Sequence, residues 1–404
     1  MSAFSAAVAA GPGRRSGWFL AAPFRPFFIG ASLFAASAVP VWLWLYLIEP
    51  VEVAGMPALA WHAHEMVFGY LPAVMAGYLL SLAGAGTGEG EGALPGRSIA
   101  LLFFLWIAGR LLPLVVPFAV GTAVDVLFPL AVAGVLLKLS RFPSAKQSKH
   151  GLVLFPLLAA ASLAHRVFAL GDGAADYEMV ALLSRLGISV GALLIGAVGG
   201  RLVPELTRLA LGDEAGERVP EPYRRFDLIA LLSLSAGLVA WVLVPSHPLT
   251  FVLAGMAALI NLARLVRWRG FLLGDLPTLA LHGGYLWLIA GLCLAALAAS
   301  PASLVPADAA LHALSAGAIG TMTLAVMARL AVSAEPGRLV GKAVRLAIVL
   351  VHAGALLRVA APFVVDLYRP LLAGGGTFWS AAFFLFFVVQ IMPLFGGRGR
   401  IRET

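Results

Sequence analysis

Runs of about 20 predominantly apolar residues, the length an α-helix needs to cross a hydrocarbon core, recur along almost the whole chain and leave few other folds open to it. They fall near 26–48, 62–83, 98–117, 119–139, 151–170, 178–200, 227–244, 249–267, 277–298, 309–330, 341–362 and 376–396. In a bilayer every backbone N–H and C=O must be bonded within the protein, which admits only helices and closed barrels, and runs this long are helical. Composition agrees, with 61% hydrophobic and 12% charged residues, where a soluble protein has roughly 45–50% and 25%. The expected fold is all-α, a polytopic membrane helical bundle of about twelve transmembrane helices in contact with the lipid bilayer.

The net charge of +8 is spread over short basic clusters between apolar runs, an orientation signal and not a nucleic-acid surface. Alternate connections hold Arg14 and Arg15; Arg97; Lys138, Arg141, Lys146 and Lys149; Arg201 to Arg225; Arg264, Arg267 and Arg269; Arg329, Arg338, Lys342 and Arg345; and Arg398, Arg400 and Arg402. The others are mostly acidic, with Glu49, Glu52, Asp172, Asp176, Asp308 and Asp366. The positive-inside rule then puts both termini in the cytoplasm, and Arg14-Arg15 reads as a cytoplasmic anchor in preference to a twin-arginine signal. The expected organisation is a cytoplasmic segment 1–25, a membrane domain 26–396 and a tail 397–404. Halves 26–200 and 227–396 would be joined by a cytoplasmic loop, 201–226. A single cysteine, Cys293, excludes a disulfide framework and a thiolate metal cluster.

Ionisable side chains at membrane depth are costly and need a reason. Counted along the runs, most lie toward the outer surface: His62, His64 and Glu65 opening helix 2, Arg110 closing helix 3, His165 and Arg166 closing helix 5, Arg185 in helix 6, His312 opening helix 10 and Arg358 closing helix 11. His282 lies in the inner half of helix 9 and His352 near mid-membrane. Imidazoles suit transition metals and haem iron, and arginines suit anionic groups such as haem propionates. Snorkelling of helix-end side chains to the headgroups is the plainer alternative.

Residues two apart on a helix project about 200° apart, so His62 and His64 should serve different centres. His62 would share a face with Glu65 and Met66, a mixed donor set for copper. His64 would share its face with Phe68 and make the better axial haem ligand, with Pro72 kinking the helix beside it. In helix 10, His312 and Ser315 share a face, while Gly317 and Gly320 leave room for a neighbour or a flat macrocycle. His282, followed by Gly283-Gly284-Tyr285, is a further candidate for a cofactor or an interhelical hydrogen bond.

Five blocks carry a family resemblance: Pro23-Phe24-Arg25-Pro26-Phe27-Phe28-Ile29-Gly30, Trp61-His62-Ala63-His64-Glu65-Met66-Val67-Phe68-Gly69, Gly109-Arg110, Gly199-Gly200-Arg201-Leu202-Val203-Pro204, and His312-Ala313-Leu314-Ser315-Ala316-Gly317-Ala318-Ile319-Gly320-Thr321-Met322. In these the chain resembles the NnrS family from about Phe24 to the last helix. The resemblance implies a twelve-helix bacterial inner-membrane protein containing haem and copper, linked to nitric oxide, denitrification and protection from nitrosative stress. It carries over His62, His64, Glu65, Arg110, His165, His282 and His312 as candidate functional positions. Three stretches depart from the family pattern, at Gly84 to Gly88, after Pro204, and at Ala331 to Arg338, all on the expected cytoplasmic side.

The leading expectation is therefore a haem- and copper-binding membrane protein that acts on or senses nitric oxide or another small ligand. His64, His312, Arg110, His165 and His282 would bind the cofactor, and His62, Glu65 and Met66 the copper. Helices 6 and 7 hold no histidine, which disfavours a haem–copper terminal oxidase. The alternative is a transporter of a metal, haem or small organic anion with histidines as transit or proton-relay groups, and an assembly role is a third.

Overall fold

The computed structural model describes residues 18–49, 51–84, 94–142, 148–212, 216–221, 224–334 and 341–395. Among them there is no strand beyond an isolated bridge between Val53 and Met56, and twelve helices are long and apolar enough to cross a membrane. These are α1 (Phe24–Leu47), α2 (Ala58–Gly84), α3 (Gly96–Leu114), α4 (Phe118–Leu139), α5 (Gly151–Phe168), α6 (Ala174–Leu211), α7 (Arg225–Leu243), α8 (Pro248–Leu272), α9 (Leu276–Ala298), α10 (Ala307–Leu330), α11 (Lys342–Phe363) and α12 (Val365–Met392). Arg14-Arg15, the tail 397–404 and most of the divergent stretches at 84–88 and 331–338 lie outside the described residues.

Helices adjacent in sequence pack as neighbours, and α12 returns along α1, so first and last spans lie side by side. At the centre is α2, whose spanning window is 89% buried, followed by α10 at 67%, whereas α8 is only 33% buried. The helices that carry His62, His64 and His312 are thus the interior ones. They meet directly where the Tyr70 hydroxyl and Thr323 Oγ1 lie 2.7 Å apart. The halves expected from the sequence are not separate bodies, because this contact and the α1–α12 packing both cross between them.

Two elements differ from the hydropathy reading. Helix α6 does not stop near residue 200 but continues as helix through Gly200–Leu211, so the first part of the expected loop 201–226 is helical. A hydropathy window finds the end of the apolar run and not of the hydrogen-bonded helix. Beyond Gly200 the sequence turns amphipathic, burying Leu202, Val203 and Leu206 while Arg201 and Glu205 pair one turn apart at 3.8 Å, and this pattern sustains a helix at a surface. Helix α2 likewise begins four residues early, after Pro57.

Within three spans the α-helix widens to a π-helical turn: Glu65–Tyr70 in α2, Ile195–Gly199 in α6 and Ala313–Ile319 in α10. The Leu71 N–H reaches back five residues to the Met66 carbonyl, and the Gly320 N–H reaches Ser315. Such turns are rare and frequently sit at functional sites. Here two of them directly follow His64 and His312.

Candidate functional site

The ionisable side chains around His62, His64 and His312 form two groups that meet along α2. One is a sealed polar cluster between α2, α3, α4 and α5. His64 is completely buried and both ring nitrogens are engaged. Nδ1 lies 3.1 Å from Glu65 Oε1, and Nε2 lies 3.0 Å from Ser162 Oγ and 3.2 Å from Asp125 Oδ2. The Ser162 hydroxyl donates to the same Asp125 oxygen at 3.1 Å. Arg110 donates through Nη1 to Glu65 at 2.6 Å and through Nη2 to Asp125. Gly69, in the π-helical turn, leaves room for this arginine, since a Cβ there would lie 2.5 Å from its Nη1. Arg166, also completely buried, bonds Thr122 at 3.1 Å through Nε and approaches Asp125 at 3.9 Å.

His165 edges this cluster. Its ring lies 5.6 Å from that of His64 and 5.5 Å from that of Phe68, and its Nε2 is 3.2 Å from Ser184 Oγ. With Glu65, Asp125, Arg110 and Arg166 the formal charges cancel, which is how a bundle tolerates four ions at membrane depth.

The second group lines a cavity of about 550 Å³. Its wall is drawn from α1, α2, α6, α10, α11 and α12, and it includes His62, Met66, Tyr70, Ser184, Asp308, His312, Ser315, Arg358 and Trp379. Most of the rest is apolar or glycine, and Gly320, Gly354, Gly375 and Gly376 serve close helix packing, since a Cβ on each would lie 2.7–3.0 Å from a neighbour. This is the make-up of a small-molecule or cofactor site, an apolar body with a few placed polar groups.

Inside the cavity the two histidines are held differently. The His312 Nδ1 sits 2.9 Å from Asp308 Oδ1, one helical turn away, and Asp308 Oδ2 accepts from Arg358 Nη2 at 2.8 Å. A carboxylate on Nδ1 takes the N–H there and leaves the Nε2 lone pair free to bind a metal. His62 instead stacks on Trp42, with ring centroids 4.0 Å apart and planes at 19°. Neither of its ring nitrogens has a hydrogen-bond partner among the described residues.

Several sequence expectations are redistributed by this geometry. His64 does stand beside Phe68, at 5.5 Å, but it faces the sealed cluster and not His312, and neither nitrogen is free for a metal. His62, not His64, shares the cavity with His312. The proposed copper set is split, for His62 and Met66 line the cavity while Glu65 turns away to Arg110 and His64. On the helix Glu65 and Met66 fall on opposite flanks of the His62 direction, and the Glu65 flank faces Arg110 of α3. Among the described residues no group of three or more His, Cys, Asp or Glu is placed to hold a metal ion.

His282 is remote from both groups. It meets Thr207 of α6 at 2.8 Å and the edge of Trp268, an interhelical contact. The glycines after it are consumed by packing, since a Cβ on Gly283 would meet His352, and one on Gly284 the Met322 backbone, at 2.6 and 3.0 Å. Gly317 likewise faces Trp287, at 2.7 Å from its would-be Cβ, and not the cavity.

Two carboxylates escaped the sequence reading. Asp125 joins Arg110, His64 and Ser162, and its signal was an acid in the middle of an apolar run. Asp308 falls among the acidic connections in the sequence, yet it stands four residues before His312, where side chains on a helix meet.

The family model described as NnrS protein matches residues 18–398 of the chain. No curated protein and no solved structure matches it.

Proposed function

The chain belongs to the NnrS family, and on that premise we propose that it is a haem-binding protein of the bacterial inner membrane, with both termini cytoplasmic, that serves the response to nitric oxide or nitrosative stress. The observation that supports this most directly is the Asp308–His312 pair at 2.9 Å. It presents an imidazole with a fixed tautomer to a cavity whose apolar walls suit a flat macrocycle. Haem held there would supply an iron able to bind a diatomic gas. His312 and His62 would ligate it, Met66 and Trp379 would pack against it, and Arg358 at the rim would suit its carboxylates.

Copper fares differently. The donors expected for it are divided between the cavity, with His62 and Met66, and the sealed cluster, with Glu65.

The sealed cluster has a supporting role in this reading. By engaging both nitrogens of His64 and pinning Glu65 to α3, it fixes the rotation of α2 about its axis, and with it the direction of His62.

The test is optical. Purified protein should take up one equivalent of hemin with a Soret band, and His312→Ala should abolish it. Hemin-free protein that instead carries a substrate across proteoliposome membranes would select the transport reading.

A further inference from the structure

We infer that the two cavity histidines have unequal tasks: His312 is the permanent ligand, and His62 is a displaceable one, so that a small exogenous ligand binds on the Trp42 side of the cavity. This rests on the haem reading above and adds to it a direction.

An imidazole is a strong, lasting metal ligand when its other nitrogen donates to a carboxylate, which fixes the tautomer and raises basicity. His312 has that partner in Asp308 at 2.9 Å, and Asp308 is itself held by Arg358 at 2.8 Å. His62 has no such partner. Its ring is positioned by one face alone, against Trp42, which in turn stacks on Tyr46 with centroids 5.3 Å apart and planes at 21°. Stacking sets the plane of an aromatic ring but selects neither its tautomer nor its rotation within that plane. The Trp42 indole N–H is buried with no acceptor, so this residue acts through its ring face. Trp42 is therefore a positioning residue for a weakly committed imidazole.

The wall on the same side also provides the way in. Tyr46 and Leu59 line the cavity and are exposed, at 39% and 59%, and Val39 and Ala63 continue the apolar lining inward. The side chains that line this wall, Val39, Trp42, Tyr46, Leu59 and Ala63, carry no formal charge. An arriving ligand would take the coordination position that His62 gives up. No electron or proton need move in that exchange.

The experiment uses the full-length protein loaded with hemin, with carbon monoxide as the probe after reduction by dithionite. A position that its own side chain occupies about nine-tenths of the time lowers apparent ligand affinity about tenfold. His62→Ala should therefore retain hemin and bind carbon monoxide about tenfold more tightly. Trp42→Leu should shift affinity in the same direction, with Trp42→Phe restoring wild-type behaviour. His312→Gly should lose hemin and recover its Soret band on addition of free imidazole, which separates ligand loss from misfolding. Loss of hemin from His62→Ala with retention in His312→Gly, or carbon monoxide affinity unchanged in His62→Ala, would overturn the assignment while leaving the haem reading intact. Absence of a Soret band in hemin-treated wild type would remove both.

Discussion

Asp308 and His312 lie one helical turn apart at the start of α10, with carboxylate and ring nitrogen 2.9 Å from each other, immediately before the α-helix opens into its π-helical turn at Ala313. Removal of an outer-shell carboxylate of this kind typically costs about 10- to 100-fold in metal affinity. Asp308→Ala should weaken hemin binding by that factor in a spectroscopic titration, and Asp308→Asn, which keeps an acceptor oxygen, by less. Equal affinity in wild type and Asp308→Ala would show that the carboxylate does not support the ligand.

Arg110 bridges two acids inside the sealed cluster, and all three side chains are at most 6% exposed. Its removal leaves Glu65 and Asp125 without their shared counter-ion, and breaking a buried pair from one side costs about 3–5 kcal/mol. Arg110→Met should lower the thermal midpoint in detergent sharply. Combining it with Glu65→Gln should recover much of the loss, because Asp125 and Arg166 then still balance each other and uncompensated charge is the main penalty. A double variant as unstable as Arg110→Met would refute that account.

The number and approximate positions of the spans were legible because hydropathy depends only on composition over a window. The grouping of site residues was less so. His62 and His64 point to different groups, but which of them faces the cavity depends on how α2 is rotated against its neighbours, which no local pattern encodes, and nothing in Glu65-Met66-Val67-Phe68-Gly69-Tyr70 announces a π-helical turn. Asp125 was legible in principle, an acid in the α4 run whose partners Arg110 and Ser162 come from two other helices. His282 misled because a histidine bonded to Thr207 across a helix interface and one waiting for a metal look alike in one dimension.

Close helix contact also makes a packing prediction. A Cβ on Gly284 would lie 3.0 Å from the backbone N and Cα of Met322, atoms of α10 that cannot rotate aside, whereas at Gly134 nothing lies within 4 Å. Gly284→Ala should therefore destabilise by about 1–3 kcal/mol through overpacking. Gly134→Ala should be neutral or stabilise by up to about 1 kcal/mol, the helix-propensity difference. Melting both in the same detergent checks the contrast, and a Gly284→Ala protein as stable as Gly134→Ala would show that α9 and α10 are further apart than this.

Orientation is testable without any cofactor. Glu217 lies after α6, among the basic residues Arg208, Arg218, Arg224 and Arg225, and Asp366 begins α12 at the opposite ends of the helices. The positive-inside rule puts the first in the cytoplasm and the second outside. Both are exposed, so a cysteine at either is open to reagent once Cys293 is replaced by serine. In intact spheroplasts a membrane-impermeant maleimide should label Asp366→Cys and spare Glu217→Cys until the membrane is permeabilised. The opposite pattern would invert the protein. His62, His312 and the Trp42 wall would then open toward the cytoplasm, and a ligand generated inside the cell would reach the cavity from its own side of the membrane.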